Sequence, residues 1–311
     1  MEHHDHSHEH HDHSHHGHGH HHAHPANITK LFLIGIFLNA SFVVIEIIAG
    51  FISNSLALLT DAGHNFGDVA GLIMVVVAEK LSKRKPNSKY TYGYGKTTVL
   101  VALANASLLL IGVGAIAWEA ISRIHAPHTV EGKLISMVAF AGILVNGATA
   151  LLFLRDKDSD LNIKGAYLHM ASDAIVSLGV VISGILIIYT GYEWVDTAMS
   201  LVICILIVWS TYGLLKDSLR LSLDGVPDEI NSEKIRQFLL NLHEVSDIHD
   251  LHIWALSTKE NALTAHLVIK EKVSDQFLLN VRKELTHHFH ISHTTIQLEA
   301  YDSTFICEQK C

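Results

Sequence analysis

Two segments carry a histidine and an aspartate four residues apart in otherwise apolar surroundings: His64 and Asp68 in "DAGHNFGDV" (61–69), and His169 and Asp173 in "AYLHMASDAIVSLG". Side chains at positions i and i+4 lie on one helical face, about 5–6 Å apart at Cβ. Each pair therefore offers an imidazole nitrogen and a carboxylate oxygen to one point. Either pair alone could be a packed polar contact between helices or a proton-relay carboxylate. Two matching pairs on two helices supply four donors, the number and type that suit tetrahedral Zn²⁺. An all-carboxylate cage would favour Mn²⁺ or Mg²⁺, whereas two imidazoles favour zinc, with cadmium and cobalt as companions. Asp61, one turn before His64, is placed to orient a ligand or to line a water path. Glu46, Asn39, Asn105 and Asn146 read as interhelical hydrogen-bonding groups rather than ligands.

The elements that must position these groups are membrane helices. The chain has 311 residues, 49% hydrophobic and only 17% charged, with mean hydropathy +0.28, too apolar for an ordinary soluble domain. Stretches of about 20 apolar residues fall near 31–52, 56–81, 97–121, 134–154, 164–189 and 195–215, and none follows Pro227. Six transmembrane helices and a soluble C-terminal domain are expected. No cleavable signal is expected before the first span, because the chain starts with a histidine tract. Lys80, Lys83, Arg84, Lys85, Lys89 and Lys96 fall between the second and third spans, Arg155, Lys157 and Lys164 between the fourth and fifth, and Lys216 and Arg220 after the sixth. The other connections are poor in basic residues, so the positive-inside rule places both termini in the cytoplasm.

A carboxylate near the middle of a membrane helix costs about 2.5–3.5 kcal/mol on insertion scales, so a use for Asp68 and Asp173 is expected. A metal held midway through a bundle with short connections is placed for alternating access. Binding needs neutral imidazoles and ionised carboxylates, so protons compete with metal for the same atoms. Export of metal in exchange for protons is the expectation. A sensor or buffer would explain the histidine tract but not ligands paired inside two membrane helices. An intramembrane metalloprotease would need a general-base glutamate beside the metal, and the chain has no HExxH. "GYGKTT" (93–98) is no phosphate loop, since position 90 is Tyr, where that motif needs Gly; no nucleotide is expected.

The net charge of −9 with histidine neutral gives a nucleic-acid partner no electrostatic support. Residues 1–24 hold 14 of the 26 histidines, mixed with Asp, Glu, Ser and Gly, unlike the unbroken run of a purification tag. Such a segment cannot form a core and would bind borderline metals weakly in many arrangements. Three cysteines make no disulfide framework. Cys307 and Cys311 of "CEQKC" could complete a metal site across a dimer or be two free thiols in a frayed tail.

After the spans, residues 231–242 pattern as an amphipathic helix, Val245–Ser257 and Leu263–Ile269 as strands, Asp275–Phe289 as a second helix and Thr294–Tyr301 as a last strand. The domain plan is a His-rich, metal-binding tail (1–27), a six-helix transport domain (28–220), a linker (221–230), a cytoplasmic α+β domain (231–303) and a C-terminal tail (304–311).

Six spans, the paired "HNFGD" and "HMASD", "SNSLALLTDAGHNFGD", "NIKGAYLHMASDAIVSLGV" and "IHDLHIWAL" together resemble the cation diffusion facilitators, in particular the bacterial zinc exporters of the cobalt-zinc-cadmium resistance type. The likeness runs from about residue 30 to 300. It implies a homodimer in the bacterial inner membrane, surrounded by lipid, a cytoplasmic domain of copper-chaperone-like αββαβ form, and Zn²⁺/H⁺ antiport through His64, Asp68, His169 and Asp173. It also implies regulatory zinc at the cytoplasmic dimer interface, with His249, His266 and Glu299 as the nearest matches to the ligands. Gln297 stands where some relatives have a ligating histidine, and His252 and Trp254 match interface positions.

Overall fold

The computed structural model describes residues 25–124, 129–154 and 161–300. Six long helices come first: α1 (Pro25–Ser53), α2 (Leu56–Ser82), α3 (Thr97–Arg123), α4 (Gly132–Leu154), α5 (Leu161–Thr190) and α6 (Trp194–Ser222). Five of them contain stretches long and apolar enough to cross a membrane: Ile36–Ser53, Thr97–Arg123, Gly132–Leu151, Tyr167–Thr190 and Trp194–Ser222. α2 falls outside that set, for it carries Asp61, Asp68, Glu79 and Lys80. It nevertheless packs against α1, α3 and α6. Large apolar side chains such as Ile111, Val76, Ile205 and Trp209 point outward from the bundle, as a lipid-facing surface requires.

Helix ends follow local chemistry. α1 and α2 are separated by Asn54 and Ser55; Asn54 takes a left-handed backbone (φ 57), which Asn tolerates better than most residues. Ser55 then caps α2 by accepting from Leu58 N at 3.0 Å. α4 and α5 make the most extensive pairing in the bundle. Gly184 lies against the backbone of Gly132, where an added Cβ would sit 2.8 Å from the Gly132 carbonyl oxygen; small residues allow such close approach in membrane helices.

The C-terminal part runs α7 (Ser232–Leu240), β1 (Val245–Ala255), β2 (Asn261–Ile269), α8 (Asp275–Phe289) and β3 (His293–Ala300), the expected α-β-β-α-β order. The sheet order is β1-β2-β3, with β1 and β2 antiparallel and β2 and β3 parallel. Ile235 and Leu239 of α7 and Val281 and Leu285 of α8 are buried with Ile248, Leu263 and Leu267 of the sheet in one core. The β1–β2 turn meets the membrane helices: Thr258 N donates to Thr98 Oγ1 at 3.0 Å, Lys259 reaches Glu79 at 3.1 Å, and Lys96 Nζ donates to the Ala255 carbonyl oxygen at 3.1 Å; Lys96 Nζ also contacts Asp224 Oδ1, just after α6, at 2.5 Å.

The His-rich tract through His24, together with Cys307 and Cys311, lies outside the described residues. α1 begins at Pro25 and α6 continues to Ser222, so helix enters both the stretch read as tail and the stretch read as linker.

Candidate metal centre

His64 and Asp68 lie about 12 and 18 Å along α2 from Leu56, at the helical rise of about 1.5 Å per residue, and therefore deep in the bundle. α5 brings His169 and Asp173 to face them. Within α2, His64 Nε2 is 3.5 Å from Asp68 Oδ2; within α5, His169 Nε2 is 3.7 Å from Asp173 Oδ2. The cross-helix separations are as short: His169 Nε2 to Asp68 Oδ2 is 3.3 Å, and His64 Nε2 to Asp173 Oδ1 is 3.8 Å. Each imidazole thus faces both carboxylates. For comparison, a tetrahedron with metal–donor distances of about 2.0–2.1 Å has edges of about 3.3–3.4 Å. Asp68, His169 and Asp173 form the tightest trio, with donor atoms all within 4.8 Å of one another, and His64 closes the ring of contacts.

The electrostatic environment is unusual for undirected packing. Asp173 is 2% exposed, and Asp173 Oδ2 and His64 Nδ1 are buried with no hydrogen-bond partner among the described residues. Buried polar atoms are normally paired. A cavity of about 570 Å³ reaches His64, His169 and Asp173 and is walled on its far side by Ile203 and Ile207 of α6.

Asp61 is buried beside this centre but turned to another partner, accepting from Ser177 Oγ of α5 at 3.2 Å. Glu46 of α1 accepts from Asn65 Nδ2 at 3.2 Å, as an interhelical hydrogen-bonding group does. Ser177 was not legible as a functional residue from sequence, being one of many small polar residues in the spans.

In the α+β domain, His249 on β1 and His266 on β2 are directly opposite in the ladder, and Glu299 lies two residues beyond Gln297, the β3 partner of His266. Residues two apart on a strand share a face. All three side chains therefore meet: His249 Nε2 is 2.9 Å from Glu299 Oε2, and His266 Nδ1 is 2.9 Å from Glu299 Oε1. The two rings stand 5.0 Å apart. Burial pushes the Glu299 carboxyl up, but the His249 hydrogen bond and the charge of both imidazoles outweigh it and hold it below the usual carboxylate range. Gln297 does not replace a ligand here; its Nε2 donates to Glu299 Oε1 at 3.0 Å.

Asp250 also joins this group, 3.6 Å from His266 Nε2 and 3.0 Å from His252 Nε2. It occupies an irregularity in β1 between His249 and His252 and has φ 54. Strict alternation along a strand would turn it away from His249, so the sequence pattern gave no signal for it. The remaining histidines disperse: His288 faces Glu284 on α8, and His293 packs edge-on against Tyr92.

Residues 32–221 match the family model of the cation efflux transmembrane domain, and residues 227–301 that of the cation efflux protein cytoplasmic domain. The chain belongs to the cation diffusion facilitator family. Curated relatives include the zinc transporter ZitB of Yersinia pestis, 38% identical over 274 residues that cover 87% of this chain and 88% of the relative. The cadmium, cobalt and zinc/H(+)-K(+) antiporter of Bacillus subtilis is 34% identical over 290 residues, 90% of this chain and 93% of the relative. The metal cation efflux system protein CzcD of Cupriavidus metallidurans is 36% identical over 279 residues, 89% and 88% respectively. These relatives are transporters. The chain is thus a multi-pass membrane protein of a cation efflux family, with a C-terminal domain whose family model is named for dimerisation.

Proposed function

We propose that the protein exports Zn²⁺ from the cytoplasm in exchange for protons, with Cd²⁺ and Co²⁺ as further substrates, and that His64, Asp68, His169 and Asp173 bind the travelling ion. The observation that carries this reading is the ring of two imidazoles and two carboxylates, 3.3–3.8 Å apart, contributed by two helices inside the bundle. The names of the relatives, a zinc transporter and a cadmium, cobalt and zinc antiporter, support the substrate class and the exchange. Metal and protons compete for these atoms, because the imidazoles must be neutral and the carboxylates ionised to ligate. Protons arriving from the far side displace the ion there, and the emptied, protonated site returns to the cytoplasm.

In this reading all six long helices cross a bacterial inner membrane. α2 crosses because Asp61 and Asp68 face the interior of the bundle rather than lipid, while Glu79 and Lys80 fall at its C-terminal end, where Glu79 meets Lys259 of the α+β domain. The basic residues between α2 and α3 and after α6 put both termini in the cytoplasm. The protein works as a homodimer, and zinc held by His249, His266 and Glu299 draws two cytoplasmic domains together and shifts the membrane bundle's equilibrium. That shift is limited to zinc's differential affinity for the two states. Replacing His249 and His266 should flatten the dependence of transport on cytoplasmic zinc while leaving transport itself; complete loss in a folded double variant would contradict a regulatory role.

The deciding experiment is zinc flux in proteoliposomes under an imposed pH gradient, with Asp173→Ala, checked as folded, beside the intact protein. Zinc moving against its own gradient while protons run the other way, with the variant silent, is the expected result. Equal flux through both proteins would refute the paired-helix site.

A further inference from the structure

A polar seam runs between α2 and α6 from Thr60, one helical turn from the metal centre, toward the end of the bundle opposite the α+β domain. On α2 it comprises Thr60, one turn before His64, and Ser55 at the cap; on α6 it comprises Asp196, Ser200 and Cys204, each four residues from the next and so on one face. All five are buried, none more than 4% exposed. They are paired across the interface. Thr60 Oγ1 and Ser200 Oγ are 2.8 Å apart. Asp196 accepts from Ser55 Oγ at 2.5 Å and from the backbone N–H of Leu56 at 2.6 Å and of Ala57 at 3.4 Å, so an α6 carboxylate sits on the N-terminus of the helix that presents His64 and Asp68.

One end of the seam opens into a cavity, and the other approaches one. At the centre, the cavity lined by His64 and Asp173 is walled by Ile203 and Ile207 of α6, buried neighbours of Cys204. At the far end, a second cavity of about 400 Å³ is bordered by Asp196, Thr197, Glu193, Trp194 and Arg123. Arg123 also borders that cavity, donating to the Asn54 carbonyl oxygen at 2.8 Å and pairing with Glu119 at 3.0 Å, so the far cavity is lined by the carboxylates of Glu193 and Asp196 together with one guanidinium.

We propose that this seam is the passage by which the ion leaves the centre for the face opposite the α+β domain, closed here and latched by Asp196; the proposal rests on the transport reading above. Hydroxyls often join membrane helices, but here they line up one turn apart with a buried carboxylate at the end of the file, and any of them left unpaired would be costly. When closed, the seam groups satisfy one another. When α6 swings from α2, the same groups can hydrogen-bond water and solvate a dication, whereas an apolar seam of equal size would stay dry. The interface thus has two satisfied arrangements, as a gate requires. Asp196 acts as a positioning residue, holding the start of α2 until the helices part.

The test uses Cys204 as a reporter in the full chain. With Cys307→Ser and Cys311→Ser it is the only cysteine left. In oriented vesicles, a membrane-impermeant maleimide is offered to the face opposite the α+β domain. With zinc present and an opposing proton gradient, labelling should run at least about tenfold faster than in an Asp68→Ala companion that cannot cycle, reflecting the larger open population. In parallel, Thr60→Val with Ser200→Ala dries the seam at nearly constant volume. Zinc flux should fall at least about tenfold while zinc affinity and thermal midpoint hold, a split that simple helix glue would not produce. Cys204 that stays unlabelled during flux, or labels only from the α+β side, overturns the passage, as does wild-type flux in the dried variant. Zinc flux in the same vesicles separates the two readings: flux without labelling refutes the passage alone, and absence of flux removes the transport reading and the passage with it. Should the double variant fail to fold, labelling of the native seam still decides.

Discussion

Asp68→Asn is the sharpest probe of the membrane centre. It keeps the side chain's volume and one oxygen donor but removes the charge that faces both imidazoles. Asp68 Oδ2 is 3.5 Å from His64 Nε2 and 3.3 Å from His169 Nε2, so this one oxygen meets an imidazole of α2 and one of α5. Zinc held by four protein donors is bound by about 10–16 kcal/mol, or about 2.5–4 kcal/mol for each donor if shared evenly. Asparagine retains a weak oxygen donor, so a loss of about 2–3 kcal/mol is expected, about 30- to 150-fold in Kd. The assay is competition against a zinc indicator in detergent. The parent protein should lack residues 1–24 and carry His249→Ala, His266→Ala, Cys307→Ser and Cys311→Ser, so that the membrane centre reports without the other candidate metal sites. A Kd within about threefold of the parent, in a variant with an unchanged thermal midpoint, would refute the assignment of Asp68 as a ligand.

Three further outcomes are expected. Leu267→Ala, at a fully buried position of the sheet core, should destabilise the α+β domain by about 2–5 kcal/mol, read as a lower thermal midpoint of that domain; a loss below about 1 kcal/mol would mean that the core is loosely packed there. Glu299 is held below its ordinary range by His249 and His266 in the folded chain, so it contributes stability above the unfolded value of about 4.3, and that contribution is lost as pH falls through the lowered folded value. Thermal midpoints of the intact protein should therefore drop more steeply on acidification than those of Glu299→Gln, and parallel curves would contradict the cluster. At Gly95 an added Cβ would lie 2.7 Å from the Leu256 carbonyl oxygen, so Gly95→Val should loosen the β1–β2 turn from α2 and α3, seen as faster hydrogen exchange at residues 256–260; unchanged protection there would show that the contact is dispensable.

Much of the fold is legible in the sequence because it depends on short-range periodicity. Long apolar runs announce the spans, and the alternation of Val245–Ile269 announces the β1–β2 hairpin. The boundaries that drifted, at Pro25 and Ser222, are those where helix continues into polar sequence, a place where hydropathy carries no information about backbone conformation. α2 shows the opposite limit: the polar and charged groups of its candidate site lower its hydropathy, and packing against α1, α3 and α6 carries it within the bundle.

The candidate centres divide in the same way. The i and i+4 spacing of His64 with Asp68 and of His169 with Asp173 is a property of one helix at a time, so the residues alone specify each pair. Whether the pairs face one another depends on the rotation and depth of α2 and α5, which all the packed helices fix together, and only the tertiary structure supplies the 3.3 Å approach of His169 to Asp68. In the α+β domain the sequence offers a crowd of histidines. Strand register and the irregularity at Asp250 choose His249 and His266 and turn His288 and His293 elsewhere. Asp196, 128 residues from Asp68 in the chain, is set on the N-terminus of α2 only by folding. Local periodicity is written in the order of residues, whereas contacts between distant segments exist only once the whole bundle has chosen its packing.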